Sequence, residues 1–213
     1  MVDIVIIGVG GFGREVKVFL DQLNQVELKF NLLGYYDDAV NLDASYNGLP
    51  YLGTIDDLNQ VEAETAVALG IGDPKIKAKI IARLTNSNLN FPTLIHPKAI
   101  VSADDVTIGV GTLICAGCIV TCNIQIGDFV TLNLCCTVGH DTVINEFASF
   151  MPSVNISGEV VIGKQVYVGT GAKIINQLEI GQNTIVGAGA VVSKSLPENC
   201  TAVGIPAKPI KFH

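Results

Sequence analysis

His140 and Asp141 stand side by side in the stretch CTVGHD, residues 136–141. An imidazole is the side chain whose ordinary pKa lets it take up a proton at neutral pH. A carboxylate beside it can raise its basicity or fix its orientation, so the pair suits general-base catalysis, in which a nucleophile loses its proton as it attacks. Adjacent side chains diverge on an extended chain, which leaves open whether Asp141 acts on the ring directly or through a backbone turn or a neighbouring subunit. Cys122, eighteen residues earlier, is a competing nucleophile, because a Cys-His pair can make a thiolate. Of the other histidines, His96 lies in a proline-flanked linker and is expected to be structural, and His213, the final residue, is expected to be mobile.

A second chemical signature lies near the start. The apolar run VDIVII is followed by GVGGFG, residues 8–13, and then by the helical pattern REVKVFLDQL. Backbone amides at such a strand-to-helix turn can cradle a pyrophosphate. Asp37 and Asp38, which end the next strand NLLGYYDD, could take a ribose or base. The α/β region amounts to only about half of a two-lobed dinucleotide domain, which favours a single nucleoside diphosphate over a redox dinucleotide. The bland alternative is that the glycines merely let the strand and helix approach closely.

Six cysteines, Cys115, Cys118, Cys122, Cys135, Cys136 and Cys200, include a superficial metal-ligand spacing. Their place in a repeat offers a plainer account: Cys118 and Cys136 share one inward-facing small position. No metal and no disulfide is expected.

The elements that must position these residues divide into two kinds. From Val106 to Ser195 the chain cuts into fifteen hexads, from VTIGVG to AVVSKS. The third position is apolar in all fifteen, and the fourth is glycine in seven. Positions one and three point to one side of an extended strand while position two faces out. Positions four to six then turn the chain, with Gly, Asn or Asp supplying positive φ or tight corners. Three strands and three corners make one coil, and five coils stack at about 4.8 Å into a parallel β-helix. Helical spacing and sandwich turn spacing both fail to match a fixed period of six. His140 is the fifth residue of its hexad, at a corner, where it can project toward a cleft.

Before the repeat, strands at 2–7, near 31–38 and at TAVALGIG alternate with helices at REVKVFLDQL, opened by the glycine loop, at TIDDL with Thr54 as N-cap, and at PKIKAKIIARL opened by Pro74. This is a Rossmann-like βαβαβ domain on a parallel sheet. The boundary falls near residues 92–105 at FPTLIHPKAIVS, giving domains 1–92 and 93–213. A formal net charge of -7 without a basic run argues against nucleic acid. Neither a membrane span nor a secretory signal is evident, and a cytoplasmic protein is expected.

The ordered set GVGGFGREV, YYDD, YLGTIDDL, GIGDPKIKAKI, LIHP, VGHD, NISGEVVIG, GTGAKI, VGAGAVV and GIPAKPIK resembles the sialic acid O-acetyltransferase and bacillosamine or perosamine N-acetyltransferase family over nearly the whole chain. The resemblance implies a left-handed β-helix, against the usual right-handed crossover, a homotrimer, and an acetyl-CoA site between neighbouring helices. It implies His140 as catalytic base, followed by Asp141. Gly10 and Gly11 match positions that approach the nucleotide sugar, with Phe12 where many relatives have histidine. Asp37, Asp38 and Asp73 match polar contacts to that substrate. Gly158 is implied to offer its amide to the thioester carbonyl, with Thr170, Gly187, Ala188 and Lys208 also toward acetyl-CoA. Ser149 replaces a second family histidine. The function implied is acetyl-CoA-dependent N-acetylation of a nucleotide-linked amino sugar by direct attack. The rivals are a sugar O-acetyltransferase, a non-catalytic nucleotide-sugar-binding β-helix, and an NAD-linked enzyme.

Overall fold

A computed structural model describes residues 1–213. The chain forms two compact units, Met1–Gly72 with Ile76–Pro92, and Thr93–His213 together with Asp73–Lys75.

The first unit is a six-stranded sheet ordered β3-β4-β2-β1-β5-β6. Its elements are β1 (Val2–Ile7), α1 (Gly11–Val26), β2 (Phe30–Tyr36), β3 (Ser45–Tyr46), β4 (Leu49–Gly53), α2 (Ile55–Leu58), β5 (Thr65–Leu69), α3 (Pro74–Arg83) and β6 (Leu89–Asn90). All pairings are parallel except the β3-β4 hairpin. Ile4 to Ile7 and Ala66 to Leu69 are buried, as expected where helices cover both faces of a parallel sheet. The expected alternation is present, with the β3-β4 hairpin and β6 added. β3 and β6 are only two residues long, and β4 carries a proline and no periodic apolar signal, which is why the sequence pattern passes over all three.

Close approach explains three of the glycines. A Cβ on Gly13 would lie 1.8 Å from the Gly8 carbonyl oxygen, and one on Gly70 would lie 2.4 Å from the Gly13 Cα. Thr54 caps α2 as expected: its Oγ1 accepts the Asp57 amide at 3.2 Å, and the Asp57 carboxylate accepts the Thr54 amide at 2.8 Å.

The second unit is a parallel β-helix with three sheets. Successive rungs lie eighteen residues apart, as in Thr131, Ser149, Tyr167 and Ile185. The stack outruns the fifteen hexads at both ends. Leu94–Ile95 and Ile100–Val101 add rungs before them, paired with Leu113 and Ile119 nineteen residues on. Thr201 pairs with Ile185 sixteen residues back. One extra residue in an early corner and two fewer in a late one hide these rungs from a search at fixed period.

The third-position residues are buried from Ile114 through Val192, with Ile108 half-buried. First positions join them: Cys118, Val130, Cys136, Val154 and Val166 are each no more than 1% exposed. The thiols at 118 and 136 therefore act as small core groups, and all six cysteines are free.

Corner chemistry differs from the expectation. The sixth position carries the positive φ in fourteen of the fifteen hexads, Ser195 being the exception, and it is glycine in only four of them. The fourth-position glycines have no positive φ; they permit close stacking. A Cβ on Gly139 would lie 2.7 Å from the Gly158 nitrogen, and one on Gly163 2.5 Å from the Gln182 nitrogen.

The chain end is also ordered, contrary to the expectation for His213. Lys208–Phe212 pairs antiparallel with Cys200–Val203, the His213 amide donates to the Asn199 carbonyl at 2.8 Å, and its Nε2 lies 3.0 Å from Thr201 Oγ1.

Candidate active site

The second edge of the prism is the set of corners that follow Ile119–Val120, Thr137–Val138, Asn155–Ile156 and Lys173–Ile174. Cys122, His140 and Gly158 stack there as fifth positions, and Asn123, Asp141, Glu159 and Gln177 as sixth positions. Asp141 has φ +57. That reversal brings two adjacent side chains together: His140 Nδ1 lies 2.7 Å from Asp141 Oδ2. The direct alternative that the sequence left open is thus the one realised.

The bond from His140, then that from Asn123 Nδ2 to Oδ1 at 3.1 Å, hold the Asp141 carboxyl below its usual range. An ionised carboxylate can only accept, so His140 donates from Nδ1, and in the neutral imidazole that leaves the lone pair on Nε2. Nε2 makes no hydrogen bond within the chain, and the side chain is 56% exposed.

The imidazole lies over Gly158. A Cβ there would sit 2.5 Å from both Cε1 and Nε2, so any other residue would displace the ring. The Gly158 amide donates to no group in the chain. Cys122, on the opposite side, is half-buried and makes no hydrogen bond to His140, which leaves the thiolate alternative without geometric support.

The remaining positions divide. Thr170, Gly187 and Ala188 belong to the first edge, after Tyr167–Val168 and Ile185–Val186. Thr170 accepts the Gly189 amide, and a Cβ on Gly187 would meet Val203 at 2.7 Å. Lys208 is exposed at the start of the terminal strand. One chain therefore does not unite Gly158 with these groups. Ser149 is fully buried, and its hydroxyl has no partner.

In the α/β unit, Gly10 and Gly11 are exposed, and a Cβ on either would meet nothing within 4 Å. Close packing thus accounts for Gly8, Gly13 and Gly70 but leaves Gly10 and Gly11 with an open approach to the N-terminus of α1. Phe12 is half-buried. Both carboxylates after β2 hold the fold: Asp37 accepts the Val9 amide at 2.9 Å and the Ala39 amide at 2.8 Å. Asp38 accepts the Ile55 amide at 2.9 Å and pairs with Arg83 at 2.5 Å. Burial pushes the Asp38 carboxyl up, and the bonds from Arg83 and Ile55 outweigh it, holding it low. Asp73 accepts the Lys75 amide at 2.8 Å at the start of α3.

His96 is buried, and its Nδ1 accepts the Lys98 amide at 3.0 Å, a structural role. No group of His, Cys, Asp or Glu side chains is arranged to hold a metal ion. No helix is long and apolar enough to cross a membrane. Asn123 is the participant the sequence pattern did not single out; its signal is an amide exactly one coil before Asp141.

Residues 3–84 match the PglD N-terminal domain family, and residues 159–194 match the bacterial transferase hexapeptide family. GDP-perosamine N-acetyltransferase of Escherichia coli is 31% identical over 77% of this chain and 74% of its own length. The chain belongs to this family of hexapeptide-repeat sugar acetyltransferases. UDP-N-acetylbacillosamine N-acetyltransferase of Bacillus subtilis is 32% identical over 54% of the chain and 52% of its own. Two solved acetyltransferases of the family superpose over nearly all of it. The acetyltransferase domain of PglB from Neisseria gonorrhoeae, in complex with acetyl coenzyme A, has a TM-score of 0.87 and 31% identity, with 98% of each chain covered. PerB from Caulobacter crescentus, in complex with CoA and GDP-perosamine, has a TM-score of 0.87 and 30% identity, covering 98% of this chain and 97% of its own.

Proposed function

We propose that this protein is an acetyl-CoA-dependent N-acetyltransferase that acetylates the amino group of a nucleotide-linked amino sugar. The observation that carries the reading is the His140 imidazole, held at Nδ1 by Asp141, with Nε2 unbonded and the ring lying over Gly158, whose amide donates to no group in the chain. Relatives that act on GDP-perosamine or bind acetyl coenzyme A support it.

The sugar amine attacks the thioester carbonyl and forms the new C–N bond. His140 Nε2 takes the amine proton, and the Gly158 amide donates to the oxyanion. Collapse breaks the C–S bond, and the departing thiolate takes the proton from the imidazolium. No acyl-enzyme forms.

Residues 1–92 bind the nucleotide sugar and residues 93–213 carry the transfer. Gly10, Gly11 and Phe12 line the approach to the nucleotide sugar. Asp37, Asp38 and Asp73 shape that site by holding the glycine loop, α2 and the start of α3. Thr170, Gly187, Ala188 and Lys208 hold acetyl-CoA. These last groups lie on a different edge from His140, so the working form is a homotrimer in which the second edge of one subunit meets the first edge of the next. The outward residues Ile100 and Ile119, 66% and 42% exposed on the second sheet, support such contacts. The enzyme works in the cytoplasm, where acetyl-CoA and nucleotide sugars meet.

The test is thiol release from acetyl-CoA with GDP-, UDP- and dTDP-linked amino sugars and with free sialic acid, beside His140→Ala. Turnover of one nucleotide-linked amino sugar, lost in the variant, is expected. Turnover of sialic acid alone, or binding of sugar nucleotide without any transfer, would overturn the reading.

A further inference from the structure

Along the second edge, side-chain bonds run between sixth positions one coil apart. Asn123 donates to Asp141 at 3.1 Å, and Gln177 donates to Glu159 at 3.1 Å. The four residues share one backbone state, with φ between +55 and +62. Only the first of these bonds touches a carboxylate that bears on an imidazole.

We propose that Asn123 is a positioning residue for the acetyl transfer: its side-chain amide pins Asp141 so that the carboxylate faces His140 Nδ1 and keeps the Nε2 lone pair toward substrate. The inference rests on the proposed role of His140 as base. Asp141 is half exposed, and a half-exposed carboxylate rotates toward water unless something holds it. His140 occupies Oδ2 and Asn123 occupies Oδ1, and the backbone sets both anchors. The Asp141 amide donates to the Cys122 carbonyl at 3.2 Å, and the Asn123 amide to the Asp104 carbonyl at 3.0 Å. Asparagine suits the task twice over. It tolerates the left-handed corner at φ +55, and it brings an N–H donor without charge. The acidic residues of the same column, Asp105 before it and Glu159 after Asp141, have no side-chain N–H to donate.

The experiment compares Asn123→Gly, which keeps the corner conformation and removes the amide, with Asn123→Asp, which keeps shape and volume but cannot donate at neutral pH. Gln177→Gly is the control, since it deletes the equivalent bond at the same kind of corner, to a carboxylate that makes no bond with the imidazole. Imidazole nitrogen NMR reports the His140 tautomer, and steady-state kinetics separate kcat from the KM for acetyl-CoA. Both Asn123 variants are expected to shift His140 toward the Nε2–H tautomer. They should lower kcat about three- to tenfold, the range set by the net worth of one hydrogen bond, with KM unchanged. Gln177→Gly should change neither. An unaltered tautomer in both Asn123 variants, or the same shift in Gln177→Gly, would overturn the proposal. The NMR readout needs no turnover, so failure of the acetyltransferase reading would show as silence in the kinetic arm alone.

Discussion

The second and third edges of the β-helix are built on the same corner and put it to different uses. On the third edge the sixth positions include Phe129 at φ +55 and Phe147 at φ +63, whose rings stack at 5.2 Å and 9°. The column begins at Gly111, where a Cβ would meet the Phe129 ring at 2.4 Å. On the second edge the same backbone carries Asn123, Asp141, Glu159 and Gln177, two separate polar pairs of which only Asn123–Asp141 reaches His140. Rung stacking fixes the corner on both edges, so side-chain identity alone decides whether a corner packs rings against the stack or presents an exposed imidazole. An interior ladder of apolar first and third positions frees the corners from folding duty.

Several measurements would break or sharpen that contrast. The largest effect is expected from His140→Ala: a loss of about 10²- to 10⁴-fold in kcat in the thiol-release assay, with thermal stability within about 0.5 kcal/mol of wild type, as for other surface changes. Phe129→Ala should do the reverse. It removes a ring that is 8% exposed and should cost about 3 kcal/mol in denaturant unfolding while kcat stays near wild type; a large kinetic loss would mean the third edge is not merely structural.

Gly158→Ala comes next. Its Cβ would displace the imidazole, and a kcat loss of roughly ten- to a hundredfold is expected from that misplacement. Gly171→Ala, at φ +72 with open space around it, should instead lose only about 1 kcal/mol of stability. The smallest effect concerns His96, held neutral because burial, then Lys98, lowers its pKa. The unfolded chain takes up this proton near pH 6.5 and the folded chain only at lower pH, so its stability contribution is complete above about pH 6.5 and is lost as pH falls below it. Melting curves from pH 7.5 to 5 should fall more steeply for wild type than for His96→Gln.

Much of this was legible in the residues. The period of six places His140 at a corner, and the apolar third positions mark the core. The early and late rungs were not legible, because Leu94–Ile95 and Thr201 are offset by nineteen and sixteen residues and only rung pairing shows that the ladder continues. The carboxylates after β2 show the same limit from the other side. Asp37 and Asp38 were recognisable as an acidic pair at a strand end, yet their bonds to Val9, Ala39, Ile55 and Arg83 depend on segments far away in the chain.

By itself, then, the sequence determined the two kinds of architecture, the coil period and the residue able to take a proton, because these follow from side-chain periodicity and intrinsic pKa. Tertiary structure decided how those residues act. The positive φ at Asp141 turned a neighbour in sequence into a hydrogen-bond partner, coil stacking set Gly158 beneath the ring and Asn123 against Asp141, and the prism put Thr170, Gly187 and Ala188 on another edge. Directions and distances of this kind arise only when coils eighteen residues apart come into register, and no local pattern encodes them.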